Sequence, residues 1–302
     1  MKTLDQLKVL VVGDIMLDKY VCGNVNRISP EAPVPIINVT DEYYTLGGCG
    51  NVVRNIKELG CNVHCVASIG IDKDGVRIES ELKRLGVRSL LVHGSRRTTV
   101  KERIIADQRQ IQMLRLDREY VDLINHNLVT EMMKTACKDD YDIVIVSDYA
   151  KGLISHELMV YLKYQQNADI IVDPKPKNAN LYNGVFMITP NENEWKEIKA
   201  FPHNISKVNY ILETRGHKGM RLFENHRNIE HEIFADEALV YNVSGAGDTV
   251  IAIMGVCLAM NMDPLTAAKI SNKCAGYVVT QPGTTPVPKD IFLKYFSEQY
   301  LK

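Results

Sequence analysis

The 302-residue chain lacks most features that announce a class of partner. It has no basic block: 36 Lys and Arg against 37 Asp and Glu, spread along the chain, leave a net charge of −1. That balance argues against nucleic acid or an anionic membrane surface as a partner. The apolar runs are too short to cross a bilayer, and Met1-Lys-Thr-Leu-Asp-Gln6 lacks the apolar core of a signal peptide, so a cytoplasmic protein is expected. Seven cysteines include no zinc-like set; Cys61 and Cys65 are close but have no companions, which reads as reduced, mostly buried thiols. None of the 19 glycines is followed by Lys, which excludes a Walker A loop. No G-x-G-x-x-G follows the first strand, which argues against a dinucleotide-binding dehydrogenase. Repeats, low-complexity tracts and Pro/Gly/Ser-rich linkers are missing too, so residues 1–302 read as one domain.

What is present is an alternation of short β-rich apolar runs with helical patterns, the signature of an α/β fold with a parallel sheet covered on both faces. Central strands are predicted at Lys8–Val12, Val63–Ser68, Ile143–Ser147, Ile170–Val172, Val185–Ile188 and Tyr210–Glu213. Helices are predicted at Asn51–Leu59, Asp74–Leu85, Leu123–Cys137, Glu157–Tyr164, Glu192–Lys199, Gly247–Met260 and Pro264–Thr280, with Gly60 and Gly86 at C-terminal stops. Two segments break the alternation. Tyr20–Tyr44 carries Pro30, Pro33 and Pro35 before a strand-like run, and Thr98–Asp117 holds two strand-like runs around an Asp107-Gln-Arg turn. Strands without adjoining helices are expected to form a small antiparallel sheet, a lid over an active site or a dimer surface.

The most informative stretch is Asn242-Val-Ser-Gly-Ala-Gly-Asp-Thr249, which opens the apolar run Val250–Ala259. Small residues at a helix's first turn leave backbone N–H groups open to an anion. A carboxylate beside that anion, Asp248, would only repel a phosphate unless its task is to take a proton from an attacking hydroxyl. Cradle and base together describe phosphoryl transfer to an alcohol. The alternative is a glycine-rich helix start whose Asp favours the helix dipole. A second cluster, Gly47-Gly-Cys-Gly50, also precedes a helix; it suits a sugar site or tight helix–strand packing.

Five motifs occur in order: Gly13-Asp-x-x-x-Asp18, Gly47-Gly-x-x-Asn51, Asn191-x-x-Glu194, Thr214-Arg-Gly-His-Lys-Gly219 and Gly245-Ala-Gly-Asp248. Over essentially its whole length the chain resembles the ribokinase-like (PfkB) carbohydrate kinases. The resemblance implies a doubly wound, mostly parallel sheet with helices on both faces, and a β-lid from about 15–46 and 96–118. It also implies ATP, Mg²⁺ and a homodimer through the lid, and leaves a monovalent cation open. Arg27–Pro35, Lys101-x-Arg103, Leu114–Asp117, Ser147-Asp-Tyr-Ala-Lys-Gly152 and Val172-Asp-Pro-Lys175 are similar to the heptose-7-phosphate kinases. Those enzymes make the 1,7-bisphosphate on the way to activated heptose for lipopolysaccharide core and other surface glycans. Many are fused to a nucleotidyltransferase; ending at Lys302, this chain resembles the stand-alone kinase with a separate nucleotidyltransferase in its pathway.

The resemblance assigns roles residue by residue. Asp248 is the general base, and Gly245, Ala246 and Gly247 hold the transferring phosphate. Asp14, Asp18, Gly47, Gly48, Asn51 and Asp148 belong to the sugar site; Asp14 as a turn cap and Asn51 as a helix start are the structural alternatives. Lys101 and Arg103, two apart on one strand and so on one face, would meet the sugar's own phosphate together with Lys151 and Lys175. Strands at sheet edges also carry such cations simply to block pairing. Asn191 and Glu194 fall to the nucleotide side, with Glu194 reaching Mg²⁺ largely through water; a helix-capping box is compatible with that role. Thr214, Gly216, Gly219, Asn272 and Gly283 complete the nucleotide side, Gly283 being equally a turn glycine. Three departures stand out: Ser244 for the usual Thr, Cys49-Gly50 for the Ala-Ala of heptose kinases, and Pro176 after Lys175 where Gly is usual. They leave the kinase class intact and the acceptor open to another sugar (fructose 1-phosphate, fructose or ribose); a non-catalytic sugar-binding relative is a separate alternative, against which the intact Gly245-Ala-Gly-Asp248 argues.

Overall fold

The computed structural model describes residues 2–94, 96–106, 111–121, 124, 126–165, 167–236 and 240–300. Its strands form two sheets. The larger runs β13(Ile229–Ile233), β12(Met220–Glu224), β11(Tyr210–Thr214), β10(Met187–Ile188), β9(Asp169–Asp173), β8(Ile143–Ser147), β1(Lys8–Gly13), β4(Asn62–Gly70), β5(Arg88–Gly94) in spatial order. Every neighbouring pair from β11 to β5 is parallel. The two strands beyond β11 are antiparallel, so the sheet is mostly rather than wholly parallel.

The continuous apolar strands are explained by burial on both faces. Side chains alternate across a strand, and β1 shows it plainly: Val9 and Val11 enter one core cluster, Leu10 and Val12 the other. The first cluster is closed by α1(Cys49–Glu58), α2(Lys73–Arg84), α6(Ala246–Ala259), α7(Pro264–Val278) and α8(Lys289–Tyr300), through Val53, Ile78, Ile253, Ile270 and Phe292. The second is closed by α3(His126–Ala136), α4(His156–Gln165) and α5(Glu192–Ile198), through Val129, Leu158 and Ile198. Helix α6 is apolar nearly all round because it lies between the sheet and α7, a buried position.

The smaller sheet has the order β3(Pro35–Gly48), β2(Ile15–Ile28), β6(Val100–Ala106), β7(Ile111–Arg118). The two irregular segments do come together. The sheet is mixed, however: β2 pairs antiparallel with β3, but parallel with β6, which enters from the far end of β5. β6 and β7 pair antiparallel as expected, while the Asp107-Gln-Arg turn between them lies outside the described residues. β5, β12, β13 and α8 were not expected, and β10 begins at Met187, with Val185 and Phe186 preceding it. No strand was expected at β2, and β3 runs to Gly48, past the strand-like Val34–Thr40. The remaining expected elements fall within a few residues of those observed; the start of the helix expected from Leu123 lies outside the described residues, and α3 begins at His126.

Gly255 sets how closely α6 can approach the sheet. A Cβ there would stand 2.6 Å from Ile145 Cδ1 and 3.3 Å from Ile171 Cδ1. Gly255→Val is therefore expected to overpack the core and destabilise the protein by about 1–3 kcal/mol. Denaturant unfolding measures this; unchanged stability would mean that the helix-to-sheet spacing is not set there.

Candidate active site

The loops that follow β1, β8 and β9 emerge at the carboxyl edge of the sheet, where open α/β sheets bind ligands. The first turn of α6 meets them there, and the lid supplies the opposite wall. Asp248, in that first turn, is only 5% exposed. Asn51 Nδ2, from α1, donates to its Oδ2 at 3.0 Å, and the Tyr149 hydroxyl, just past β8, donates to its Oδ1 at 2.9 Å. Burial raises the Asp248 pKa to about 6; the bonds from Asn51 and Tyr149 pull it down, Asp18 pushes it up and Lys101 pulls it down.

The helix start explains the small residues. Gly245 is the N-cap in a left-handed conformation, φ 81°, and a Cβ there would lie 2.6 Å from Thr284 Cγ2 and 2.7 Å from Asn51 Nδ2. Ala246 N–H bonds Val243 O at 3.3 Å and Thr249 N–H bonds Gly245 O at 3.0 Å. Between them the amides of Gly247 and Asp248 have no acceptor among the described residues, nor does that of Gly245. Three open N–H groups at the positive end of a 14-residue helix can receive an anion.

That site faces a cavity of about 470 Å³ lined by Thr214, Gly216, Gly219, Ala246, Gly247 and Asn272 together with Val240, Val243, Val250, Ala275 and Val279. The first six are residues expected around the phosphate and nucleotide; the apolar wall was not anticipated. Its signal was present in Val243 and Val250 flanking the glycine turn, and in Ala275 and Val279 one helical turn apart. Such a wall accepts a flat aromatic base. Asn272 Nδ2 is used in bonding Phe234 O at 2.7 Å. Gly283 does not line this cavity; it sits in a turn with φ 67°, and its carbonyl accepts a 3.4 Å bond from Asn242 Nδ2.

On the acceptor side, Asp14 is fully buried, and its Oδ2 accepts the backbone N–H groups of Tyr149 at 3.0 Å and Lys151 at 2.9 Å. Its Oδ1 has no partner among the described residues. Burial, then the charge of Asp148, raises its pKa. Gly47 and Gly48 pair with Met16 and Ile15 at the open end of the lid hairpin, and Gly48 caps α1. Asp148 is turned inward: it accepts from Ala150 N–H at 2.6 Å, Asn178 Nδ2 at 2.7 Å and Tyr182 OH at 2.6 Å, and holds the loop rather than facing the cleft.

The cations divide. Asp18 and Lys101 are register partners across β2 and β6, as are Tyr20 and Arg103, and alternation puts all four on the face toward Asp248. Arg103 Nη1 is bound to Asp18 Oδ1 at 2.5 Å in a buried pair, so each engages the other's charge. Lys151 pairs with Glu119 at 2.7 Å, and Lys175 pairs with Glu194. Lys101 is half-buried and forms no ion pair among the described residues; burial lowers its pKa and Asp18 raises it. Its ammonium lies 5.4 Å from the centroid of the Tyr149 ring, and that of Lys175 lies 5.3 Å from it. Asn191 and Glu194 do form the capping box: the Asn191 side chain accepts from Glu194 N–H at 3.0 Å, and Glu194 Oε2 accepts from Asn191 N–H at 3.0 Å. A parallel bridge from Asn191 to Thr214 places this helix start beside the cavity. No cluster of three or more His, Cys, Asp or Glu side chains suited to a metal occurs among the described residues.

Tyr149 is the site residue the expectations omitted. Its signal was a hydroxyl-bearing ring between two assigned residues, Asp148 and Lys151, directly after an apolar strand.

Two alanine substitutions separate backbone shape from anion binding. Gly245→Ala meets both a positive φ and a collision, and is expected to destabilise by about 1–3 kcal/mol. Gly247→Ala has open space for its methyl and is expected to keep stability while raising the KM for nucleotide. Thermal melts and steady-state kinetics on both proteins check this; a nucleotide KM unmoved by Gly247→Ala contradicts an anion site at that turn.

Residues 6–290 match the family described as pfkB family carbohydrate kinase. A bifunctional protein HldE from Desulfatibacillum aliphaticivorans is 40% identical over 301 residues, covering 93% of this chain and 61% of that protein. The chain thus spans about 61% of the length of that bifunctional relative. A D-beta-D-heptose 7-phosphate kinase from Bordetella bronchiseptica is 36% identical over 301 residues, covering 93% of both chains. Among solved structures, phosphofructokinase-2 from Escherichia coli in complex with potassium superposes with a TM-score of 0.78 at 16% identity, over 98% of this chain and 99% of that one. Ribokinase from Thermotoga maritima gives 0.69 at 19% identity, over 96% and 99%. These two share the fold. With its glycine-walled helix start, its buried carboxylate and a family match along nearly its whole length, the chain belongs to the pfkB family of carbohydrate kinases.

Proposed function

We propose that this kinase transfers the γ-phosphoryl group of ATP to O1 of D-glycero-D-manno-heptose 7-phosphate, giving the 1,7-bisphosphate for nucleotide-activated heptose and surface glycans such as lipopolysaccharide core. The observation that carries the chemistry is the position of Asp248. It stands in a helix start with three open amides, of which that of Gly247 belongs to the cavity wall, and the charge of Lys101 on the lid reaches it. The choice of heptose is supported by the 36%-identical relative of nearly equal length that bears that name.

In this reading the anomeric hydroxyl lies against Asp248, which accepts its proton as O1 bonds to the γ-phosphorus. The bond from that phosphorus to the bridging oxygen breaks and ADP leaves. The amides of Gly245, Gly247 and Asp248 hold the negative charge that develops on the transferred group. Lys101 meets the dianion at the far end of the sugar. Mg²⁺, when bound, neutralises phosphate charge. Glu194 would hold it; both oxygens already accept a bond, so the remaining lone pairs suit contact through water, which Mg²⁺ tolerates. The exposed apolar outer side of the lid, with Ile28, Val39, Met113 and Leu114, supports the expected homodimer.

Asp248→Asn is expected to lower kcat by at least about 10²-fold and to remain folded. Its folded pKa is raised above the unfolded value of 3.8, so the protonated carboxyl favours the fold at low pH and that stabilisation is lost as pH rises through about 6. Above pH 6 the amide therefore stabilises relative to the charged parent. For the parent enzyme, kcat/KM should fall below a pH of about 6 as the base is protonated. Near-normal turnover by folded Asp248→Asn would rule out the role.

Lys101→Ala is expected to raise the KM for phosphorylated sugar well above any change in the KM for ATP. Arg103→Ala does not test this cleanly, because it leaves Asp18 buried and unpaired, a loss of about 3–5 kcal/mol. The acceptor itself is settled by ADP release with ATP and Mg²⁺ over a panel of free and phosphorylated sugars. Heptose 7-phosphate should give the highest kcat/KM. A preference for fructose 1-phosphate, fructose or ribose reassigns the acceptor, and no release with any sugar points to a binding protein.

A further inference from the structure

We infer that Tyr149 is a positioning residue that holds the Asp248 carboxylate and keeps it ionised near neutral pH; the catalytic meaning of this rests on Asp248 being the base. Four contacts converge on this one side chain and its amide. Its hydroxyl donates to Asp248 Oδ1 at 2.9 Å, and its backbone N–H donates to Asp14 Oδ2 at 3.0 Å. The ammonium groups of Lys101 and Lys175 stand 5.4 and 5.3 Å from its ring centroid, from the lid and from the loop after β9 respectively. One residue thus ties the base to the buried acceptor-side carboxylate, the lid and the loop beyond β9.

The hydroxyl can act in one direction only. An ionised carboxylate donates nothing, so the proton in the Tyr149–Asp248 bond belongs to tyrosine. Tyr149 also keeps that proton: burial, and then the charges of Asp248 and Asp173, push its pKa well above the usual phenol value. A donor to the charged form of an acid lowers the acid's pKa. Burial works against it, and so does the charge of Asp18 on β2; Asp173 at the end of β9 and the Cys49 thiol on α1 also face Asp248, and burial together with its charge raises their own pKa values. Lys101 on β6 and the amide of Asn51 on α1 help it. Each Asp248 oxygen receives one protein donor and keeps one lone pair, so the acceptor hydroxyl can bind without displacing tyrosine.

Removing the hydroxyl alone, in Tyr149→Phe, should raise the Asp248 midpoint by about one pH unit, the size expected for one hydrogen bond to a charged group. The readout is ¹³C NMR titration of aspartate-labelled protein without substrates, with the Asp248 signal assigned by its loss in Asp248→Asn. The acid limb of kcat/KM should move up by the same amount while the KM for ATP stays within about twofold. A 3-fluorotyrosine at position 149, a stronger donor of nearly the same shape, should move the midpoint the opposite way, and it decides the matter if Tyr149→Phe fails to fold. An unmoved Asp248 midpoint in either folded protein overturns the inference. The NMR shift does not depend on turnover, so an active Asp248→Asn would remove the base and leave this coupling standing.

Discussion

The buried carboxylate of Asp248 at the amino end of α6 is the constraint on which the site depends. Leaving it ionised there has a cost, and the molecule offsets that cost from three directions: the Asn51 amide on α1, the Tyr149 hydroxyl past β8 and the Lys101 charge on the lid. Remove that arrangement and the first turn of α6 is only an anion site. With it, the proposed proton acceptor stands next to the helix start proposed to bind phosphate, the pairing that transfer to an alcohol would require.

This constraint reaches the fold. Asn51 can meet Asp248 because Gly245 allows the chain to pass within contact distance of it, and α1 starts where it does because β3 ends at Gly47 and Gly48. Asp14 anchors the β8 loop through two backbone amides, and that loop carries Tyr149. The long lid strands put Lys101 on the same face as Asp18 through register alone. The site is thus assembled by strand register, a helix start and two loop anchors, all on rigid elements.

Much of this was readable from the chain because local rules govern it. The apolar strands, the glycine stops and the helix starts follow short-range patterns, and the parallel sheet follows from their alternation. The pattern around residues 242–249 brings the proposed anion site and the proposed base within eight positions. What could not be read was long-range. That Arg103 would be spent on Asp18, and Lys175 on Glu194, depends on register and loop approach, not on residue type. Asp148 has the same chemistry as Asp14, yet Tyr182 and Asn178 draw it inward. β13 was hard to see because Glu230-His-Glu232 carries little apolar signal, whereas β12, with Met220 and Leu222 buried and Phe223 beside them, did carry one. The parallel β2–β6 pair hides for another reason: its partners are far apart in the chain and nothing local states their direction.

The most direct test is a crystal structure of the protein with a non-hydrolysable ATP analogue and heptose 7-phosphate bound together. The acceptor O1 is expected within about 2.6–3.2 Å of an Asp248 carboxylate oxygen, with the terminal phosphate against the amides of residues 245–248. A structure that places the sugar's hydroxyls away from Asp248, or the phosphate away from that helix start, would contradict the assignment.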